Sequence, residues 1–229
     1  MTKSKYYGAG FPYRENEDLP GKLIVLEGND GVGRSTQIQL LRNYLEVSGY
    51  GVSNTGLNRS PLTQPGLDAA KQGHTLGPLT MSLFYATDFA DRLENQIIPA
   101  LKAGFIVLSD RYFFSTIARD IVRGAGRDWA KNLYGFALIP DLIIYLKADI
   151  STLVTRIVHG RGFNYWESGM DIKSTGNLYD NFVEYQDHLT EQFNSMVKEY
   201  NMVTVDANCS VQDVFEEIKG HIEKLFDKD

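Results

Sequence analysis

The feature that most constrains this chain is an unbroken apolar run, Leu23-Ile24-Val25-Leu26, leading straight into Glu27-Gly28-Asn29-Asp30-Gly31-Val32-Gly33-Arg34-Ser35-Thr36. Apolar residues without alternation suit a strand buried on both faces, and a strand of that kind belongs to a parallel sheet covered by helices. The glycines after it let the chain curl until successive backbone N–H groups point inward. A helix opening near Gly33 adds the positive end of its dipole to the same hollow, so the segment reads as a cradle for phosphate oxygens.

The spacing, a glycine, four residues, then glycine, a basic residue and Ser/Thr, is that of a P-loop, with Arg34 where lysine is usual. Arginine keeps the positive charge and can fork onto two oxygens, but it is longer and planar. Gly28, Asn29, Gly31, Val32, Gly33, Arg34, Ser35 and Thr36 are therefore the candidate binding residues for a nucleotide's phosphates.

Composition narrows the partners. The chain has 229 residues, 43% of them hydrophobic, and no run of about 18 apolar residues, which predicts one soluble domain with a sizeable core. Lys3 and Lys5 precede no apolar stretch, so no secretory signal is predicted. The single Cys209 rules out an internal disulfide framework, and His74, His159, His188 and His221 are too scattered for a metal cluster, which makes the cytoplasm the default compartment. A formal net charge of −6 argues against nucleic acid as the main partner.

After an aromatic arm over residues 1–21, strand-like runs alternate with helical patterns. Strands are predicted at 23–27, 51–55, 105–109, 141–146 and 202–205. Helices are predicted at 34–47, 79–102, 112–123, 127–135, 150–158, 178–199 and 210–226, with a polar glycine-containing segment at 159–176. The expectation is a three-layer α/β/α fold around a central five-stranded parallel sheet, with a short lid at about 159–176.

Ligands of such sheets bind beyond the carboxyl ends of the strands, so the residues there carry the chemistry. Ser109-Asp110-Arg111 ends the third strand, placing a carboxylate suited to Mg²⁺ beside a phosphate-gripping guanidinium; Asp110 capping the next helix is the plainer reading. Ser35 would supply a hydroxyl ligand to the same metal. Asp30, inside the glycine loop, either serves the acceptor or simply forms the turn. Arg156 and Arg161, among glycines 160 and 162, suit a lid that closes over phosphates, or else an ordinary charged loop.

Together these residues resemble the thymidylate kinase family of P-loop nucleoside monophosphate kinases over roughly residues 22–227. The match is carried by Leu26-Glu27-Gly28 through Thr36-Gln37, Leu83-Phe84-Tyr85-Ala86 with Asp88, Ile98-Pro99-Ala100-Leu101, Asp110-Arg111-Tyr112 with Ser115, Pro140-Asp141-Leu142, Arg156-Ile157 and Val205-Asp206-Ala207. The resemblance implies ATP as donor, Mg²⁺, a homodimer whose face includes the long helix 79–102, and a catalytic arginine in the lid, since Gly31 fills the alternative loop position. It also implies that Arg111 and Arg59 hold the acceptor phosphate, that Asp30 sits near the attacked phosphate, that Tyr85 stacks on the base and that Arg156 stacks on the donor adenine. Tyr85 fits a core helix equally well.

Two departures bear on the acceptor. Phe89 stands where the family's base-reading arginine is expected, and Arg119 and Asp120 replace an aromatic or polar pair beyond Ser115. A pocket that hydrogen-bonds one base rejects others by leaving its own polar groups unpaired, so these swaps concern specificity.

The expected activity is transfer of a phosphoryl group from ATP to a nucleoside monophosphate, dTMP first. The alternatives are a catalytically weak, regulatory nucleotide-binding member, for which Arg34 and Phe89 speak, or a kinase for another nucleoside or nucleotide. A GTPase switch is disfavoured: Phe113 stands where the glycine of its switch motif would follow Asp110, and Leu146-Lys147-Ala148-Asp149 lacks the asparagine that reads guanine.

Overall fold

In a computed structural model, residues 5–13, 18–172 and 176–227 are described. Residues 1–4 and 14–17 of the arm and part of the expected lid, 173–175, lie outside them.

The strands are β1 (Lys22–Gly28), β2 (Val52–Gly56), β3 (Ile106–Asp110), β4 (Leu142–Lys147) and β5 (Val203–Asp206). They form one parallel sheet in the order β2-β3-β1-β4-β5, with β2 in register with β3 from Val52↔Ile106 and β4 with β5 from Ile144↔Val203. Parallel strands need long crossovers, which the helices supply: α1 (Arg34–Val47), α2 (Gln64–Gly73), α3 (Pro78–Arg92), α4 (Ile98–Lys102), α5 (Phe113–Val122), α6 (Arg127–Leu133), α7 (Ile150–His159), α8 (Leu178–Glu199) and α9 (Val211–Phe226). The α/β fold read from the sequence is the fold observed.

The predicted helix 79–102 is three pieces: α3, a π turn at Leu93–Ile97, and α4. Pro99 has no N–H to return to residue 95, and its ring crowds that carbonyl, so the ladder widens by one residue there. Helix α2 was not predicted, because only Leu67 among its ten residues is buried and its Gly and Pro blur the period.

The chain divides into two compact units, Met1–Val25 with Arg42–Asp141, and Leu26–Leu41 with Leu142–Asp229. The first is built on an aromatic core in which Phe89 lies 4.8 Å from Tyr112, 5.7 Å from Tyr134 and 5.7 Å from Phe136, ring centre to ring centre. The arm docks on this core through backbone bonds, Ile139 N donating to Lys5 O (2.8 Å) and Gly8 N to Gly135 O (2.9 Å), while the Tyr7 ring packs edge-on to Phe113 at 5.2 Å. Gly8 allows that approach, since a Cβ there would sit 2.7 Å from the Gly135 Cα. In the second unit, Tyr145 of β4 stacks on Phe193 of α8 at 5.2 Å.

Candidate active site

In the second unit the cradle has the geometry its sequence demands. The chain turns through positive φ at Gly28, Gly31 and Gly33, and a Cβ at Gly31 would lie 2.9 Å from the Ile157 side chain. At Gly33 a Cβ would meet nothing within 4 Å, so that side of the loop is open where α1 begins. A curled main chain that opens onto a helix N-terminus fits a phosphate chain.

Arg34 turns back on the loop, its Nη1 donating to Gly28 O and Asn29 O, both at 2.5 Å. Ser35 and Thr36 lie exposed in the first turn of α1, and the Ser35 hydroxyl is an oxygen donor of the kind Mg²⁺ takes. Arg156 of α7 bridges Val32 O (3.0 Å) and Ala207 O (2.8 Å), which fixes its planar head beside the loop. Arg161 is half-exposed and paired with both oxygens of Glu167, at 2.5 and 2.6 Å.

Gln186 of α8, which the sequence reading passed over, organises this region. Its amide oxygen accepts from Asn29 Nδ2 (3.1 Å) and Asp30 N (3.2 Å), and its amide nitrogen donates to Asp30 Oδ2 (3.2 Å) and Glu167 O (2.9 Å). The Gln186 carbonyl also accepts from Asn29 Nδ2 at 2.8 Å. Gln186 has no exposed surface and Asp30 is buried, so one side chain fixes the carboxylate of the loop and a residue of the 159–176 segment together. Nothing short of the fold reveals a partner 156 residues away.

The first unit holds the acceptor candidates. Asp110 ends β3 nearly buried, with Arg59 Nη2 at 3.8 Å from its Oδ2. A carboxylate at a strand end is the kind of oxygen donor Mg²⁺ takes, since the ion keeps several waters and binds one or two carboxylates beside substrate phosphates. Arg111 is 7% exposed and held at φ +72°, a left-handed conformation costing about 1–3 kcal/mol in a residue with a Cβ. The Ser109 hydroxyl donates to the Arg111 carbonyl (2.6 Å), and Arg111 Nη1 donates to Ser115 Oγ (2.8 Å), so the guanidinium is aimed from both ends.

Arg59 is likewise presented by a scaffold. Asn58 N and Ser60 N, on either side of it, donate to the two oxygens of Asp88, at 3.1 and 2.9 Å. Asp88 in turn pairs with Arg92 at 2.9 Å, and both side chains are wholly buried. Arg92 also donates to Thr55 Oγ1 at 3.3 Å. Arg92 was not singled out in the sequence, although Asp88 and Arg92 stand one helical turn apart on α3.

The base-reading candidates fare unequally. Tyr85 is largely buried with the Lys71 ammonium 5.1 Å above its ring, which leaves it a ring face used by a cation. Phe89, expected to touch the acceptor, has no exposed surface; it belongs to the aromatic core and presents nothing to a ligand. Arg119 is half-exposed at the end of α5. Asp120 is 6% exposed and accepts from Ser82 Oγ at 2.8 Å; burial pushes its carboxyl up from 3.8 to about 6, against the opposing pull of that hydroxyl and of Arg123 and Arg119.

A phosphate cradle on one unit and a serine-aimed Asp110-Arg111 strand end on the other are the two marks of a nucleotide kinase, and the sequence comparisons decide which. Residues 26–218 match the family model described as "Thymidylate kinase". This chain belongs to the thymidylate kinase family. It is 36% identical over 211 residues to "Probable thymidylate kinase 2" of Saccharolobus solfataricus, covering 91% of this chain and 99% of the relative. It is 32% identical over 220 residues to "Thymidylate kinase" of Caldicellulosiruptor saccharolyticus, covering 92% and 100%, and 30% identical over 214 residues to "Probable thymidylate kinase" of Thermococcus gammatolerans, covering 89% and 97%. In this chain Phe89 is wholly buried, and Asp120 is buried with its Oδ2 without a hydrogen-bond partner. No helix among the described residues is long and apolar enough to cross a membrane.

Proposed function

We propose that this chain transfers the γ-phosphoryl group of ATP to dTMP, acting in the cytoplasm as a homodimer. The observation that carries the reading is Arg111, a nearly buried guanidinium held at a strand end by Ser109 and Ser115. A fixed, desolvated cation suits an acceptor that already bears phosphate, and suits a nucleoside poorly.

In this reading Arg111 and Arg59 grip the acceptor phosphate and Tyr85 lies against its base. The loop Gly28–Gly33 and the first turn of α1 hold the donor phosphates through main-chain N–H groups. Arg34 adds charge there, and Arg156 offers the donor base a planar surface. Asp30, steadied by Gln186, orders the acceptor side of the loop. Arg161 moves from Glu167 to the transferring group when the donor is bound. Ser35 and Asp110 are the residues that would hold Mg²⁺. When bound, the ion neutralises charge on the donor's β- and γ-phosphate oxygens. An acceptor phosphate oxygen forms the new P–O bond as the bond to the ADP leaving oxygen breaks, and the residues contribute placement and fixed charge. Exposed Leu83 on α3 supports the dimer face.

A coupled assay with ATP and Mg²⁺ tests this, comparing dTMP, dUMP, UMP, dCMP and thymidine. The highest kcat/KM is expected for dTMP and none for thymidine; a preference for another monophosphate overturns the substrate. Absence of turnover with retained ATP binding would favour the regulatory reading, which the contacts of Arg34 with its own loop carbonyls support.

A further inference from the structure

The arm precedes residues 26–218, the span matched to the family, and runs antiparallel to the segment between α6 and β4. Tyr6 bridges Leu138, and backbone bonds run from Ile139 N to Lys5 O (2.8 Å), from Tyr7 N to Ala137 O (3.1 Å) and from Gly8 N to Gly135 O (2.9 Å). Ordering an extended segment in this way costs conformational entropy, so the contacts it makes have to be useful elsewhere in the unit.

Two routes lead from the arm to Arg111. Tyr112, the residue between Arg111 and α5, has no exposed surface, and its hydroxyl donates to the carbonyl of Leu138 (3.1 Å), the residue that Tyr6 bridges. The Tyr7 ring packs edge-on at 5.2 Å from Phe113 and 6.0 Å from Phe114, the first two residues of α5. Arg111 itself stands at φ +72°, a conformation that a residue with a Cβ keeps only where its surroundings over-determine it. The Ser109 and Ser115 bonds that aim it are local, within four residues of Arg111. Leu138 and Tyr7 reach the same turn from distant parts of the sequence and hold it against the body of the unit.

We infer that residues 5–8 are a strap that positions the acceptor grip, with Tyr7 as the positioning residue that carries its effect to Arg111. The inference rests on the reading of Arg111 as the clamp on the acceptor phosphate. Tyr7 acts on substrate only through the turn it braces. Gly8 keeps the strap close, since a Cβ there would lie 2.7 Å from Gly135 Cα and 2.9 Å from Gly135 O, and any side chain lifts the backbone away.

The test uses the full chain with Tyr7→Ala, which removes the ring, and Gly8→Ala, which lifts the backbone and leaves the ring in place; Tyr7→Phe is the conservative control. Amide hydrogen exchange reads the turn: peptides spanning 109–120 should exchange at least about tenfold faster in both alanine variants, with the glycine loop at 28–33 unchanged. Steady-state kinetics read the grip: the KM for dTMP should rise by about tenfold, the KM for ATP should stay within about twofold, and Tyr7→Phe should match the parent. Unchanged exchange over 109–120, a loosened turn with an unchanged KM for dTMP, or equal changes in both KM values would overturn the inference. A parent chain that turned over no monophosphate would overturn the proposed function instead, and exchange over 109–120 would still decide whether the arm holds the turn.

Discussion

The glycine loop of the second unit and the strand end of the first hold charge in different ways. The loop relies on main chain: its conformation comes from Gly28, Gly31 and Gly33, and the groups it offers are N–H dipoles that any sequence with those glycines would present. The strand end relies on side chains, with Arg111 aimed by Ser109 and Ser115, and Arg59 presented by a buried Asp88–Arg92 pair. Main-chain recognition should tolerate changes of side chain, and Arg34 in the lysine position puts that to the test. Side-chain recognition depends on scaffolding residues that touch no ligand.

The largest effect expected from that contrast is at Asp88. Asp88→Ala leaves the Arg92 guanidinium buried without its partner and frees both N–H groups beside Arg59, so unfolding free energy should fall by about 3–5 kcal/mol. The KM for dTMP should rise in the fraction that folds, with ATP affinity unchanged; equal loss of both would erase the contrast. Urea denaturation and two-substrate kinetics check it.

Asp120 gives the next effect, visible as pH dependence. Burial raises its folded-state value from 3.8 to about 6, with the Ser82 hydroxyl, Arg123 and Arg119 acting in the opposite direction and Tyr134 nearby. Between those values the folded chain holds more protons than the unfolded one, so this group's contribution makes stability fall as pH rises, by up to about 3 kcal/mol. Asp120→Asn should therefore be more stable than the parent at pH 7, with the gain shrinking toward pH 4. Denaturation midpoints across that range decide it, and a gain independent of pH would remove the carboxylate as its cause.

Gln186→Ala should cost about 2 kcal/mol by stranding Asn29 and Asp30, and should raise the KM for ATP more than that for dTMP. Arg34→Lys is expected to be the mildest change, altering kcat/KM by less than about tenfold, because the loop's N–H groups remain in place. A much larger gain would mean that arginine had degraded the site.

The same contrast explains what the sequence made legible. The bounds of α1, 34–47, could be read to the residue because strand, glycines and helix follow one another locally. Four of the strands lay in apolar runs, β2 offered only Val52 as an apolar residue, and the parallel arrangement followed from the alternation of strands and helices. Helix α2 buries too little to show a period, and the π turn depends on where one proline falls in a helix already expected. Gln186 and the Asp88–Arg92 scaffold stayed hidden for another reason: a buried polar side chain has meaning only through partners that folding brings to it. Phe89 was noticed as a departure, but its place in the aromatic core could be known only from the neighbours around it.

Arg111→Ala, with equilibrium binding of ATP and dTMP measured separately by calorimetry, tests the central claim most directly. Separate grips on the two nucleotides predict at least about a 100-fold weaker Kd for dTMP, the loss of a charged hydrogen-bonding partner, with the Kd for ATP within about twofold of the parent. If ATP binding fell as far as dTMP binding, or dTMP bound as tightly as before, the assignment of Arg111 to the acceptor would be contradicted.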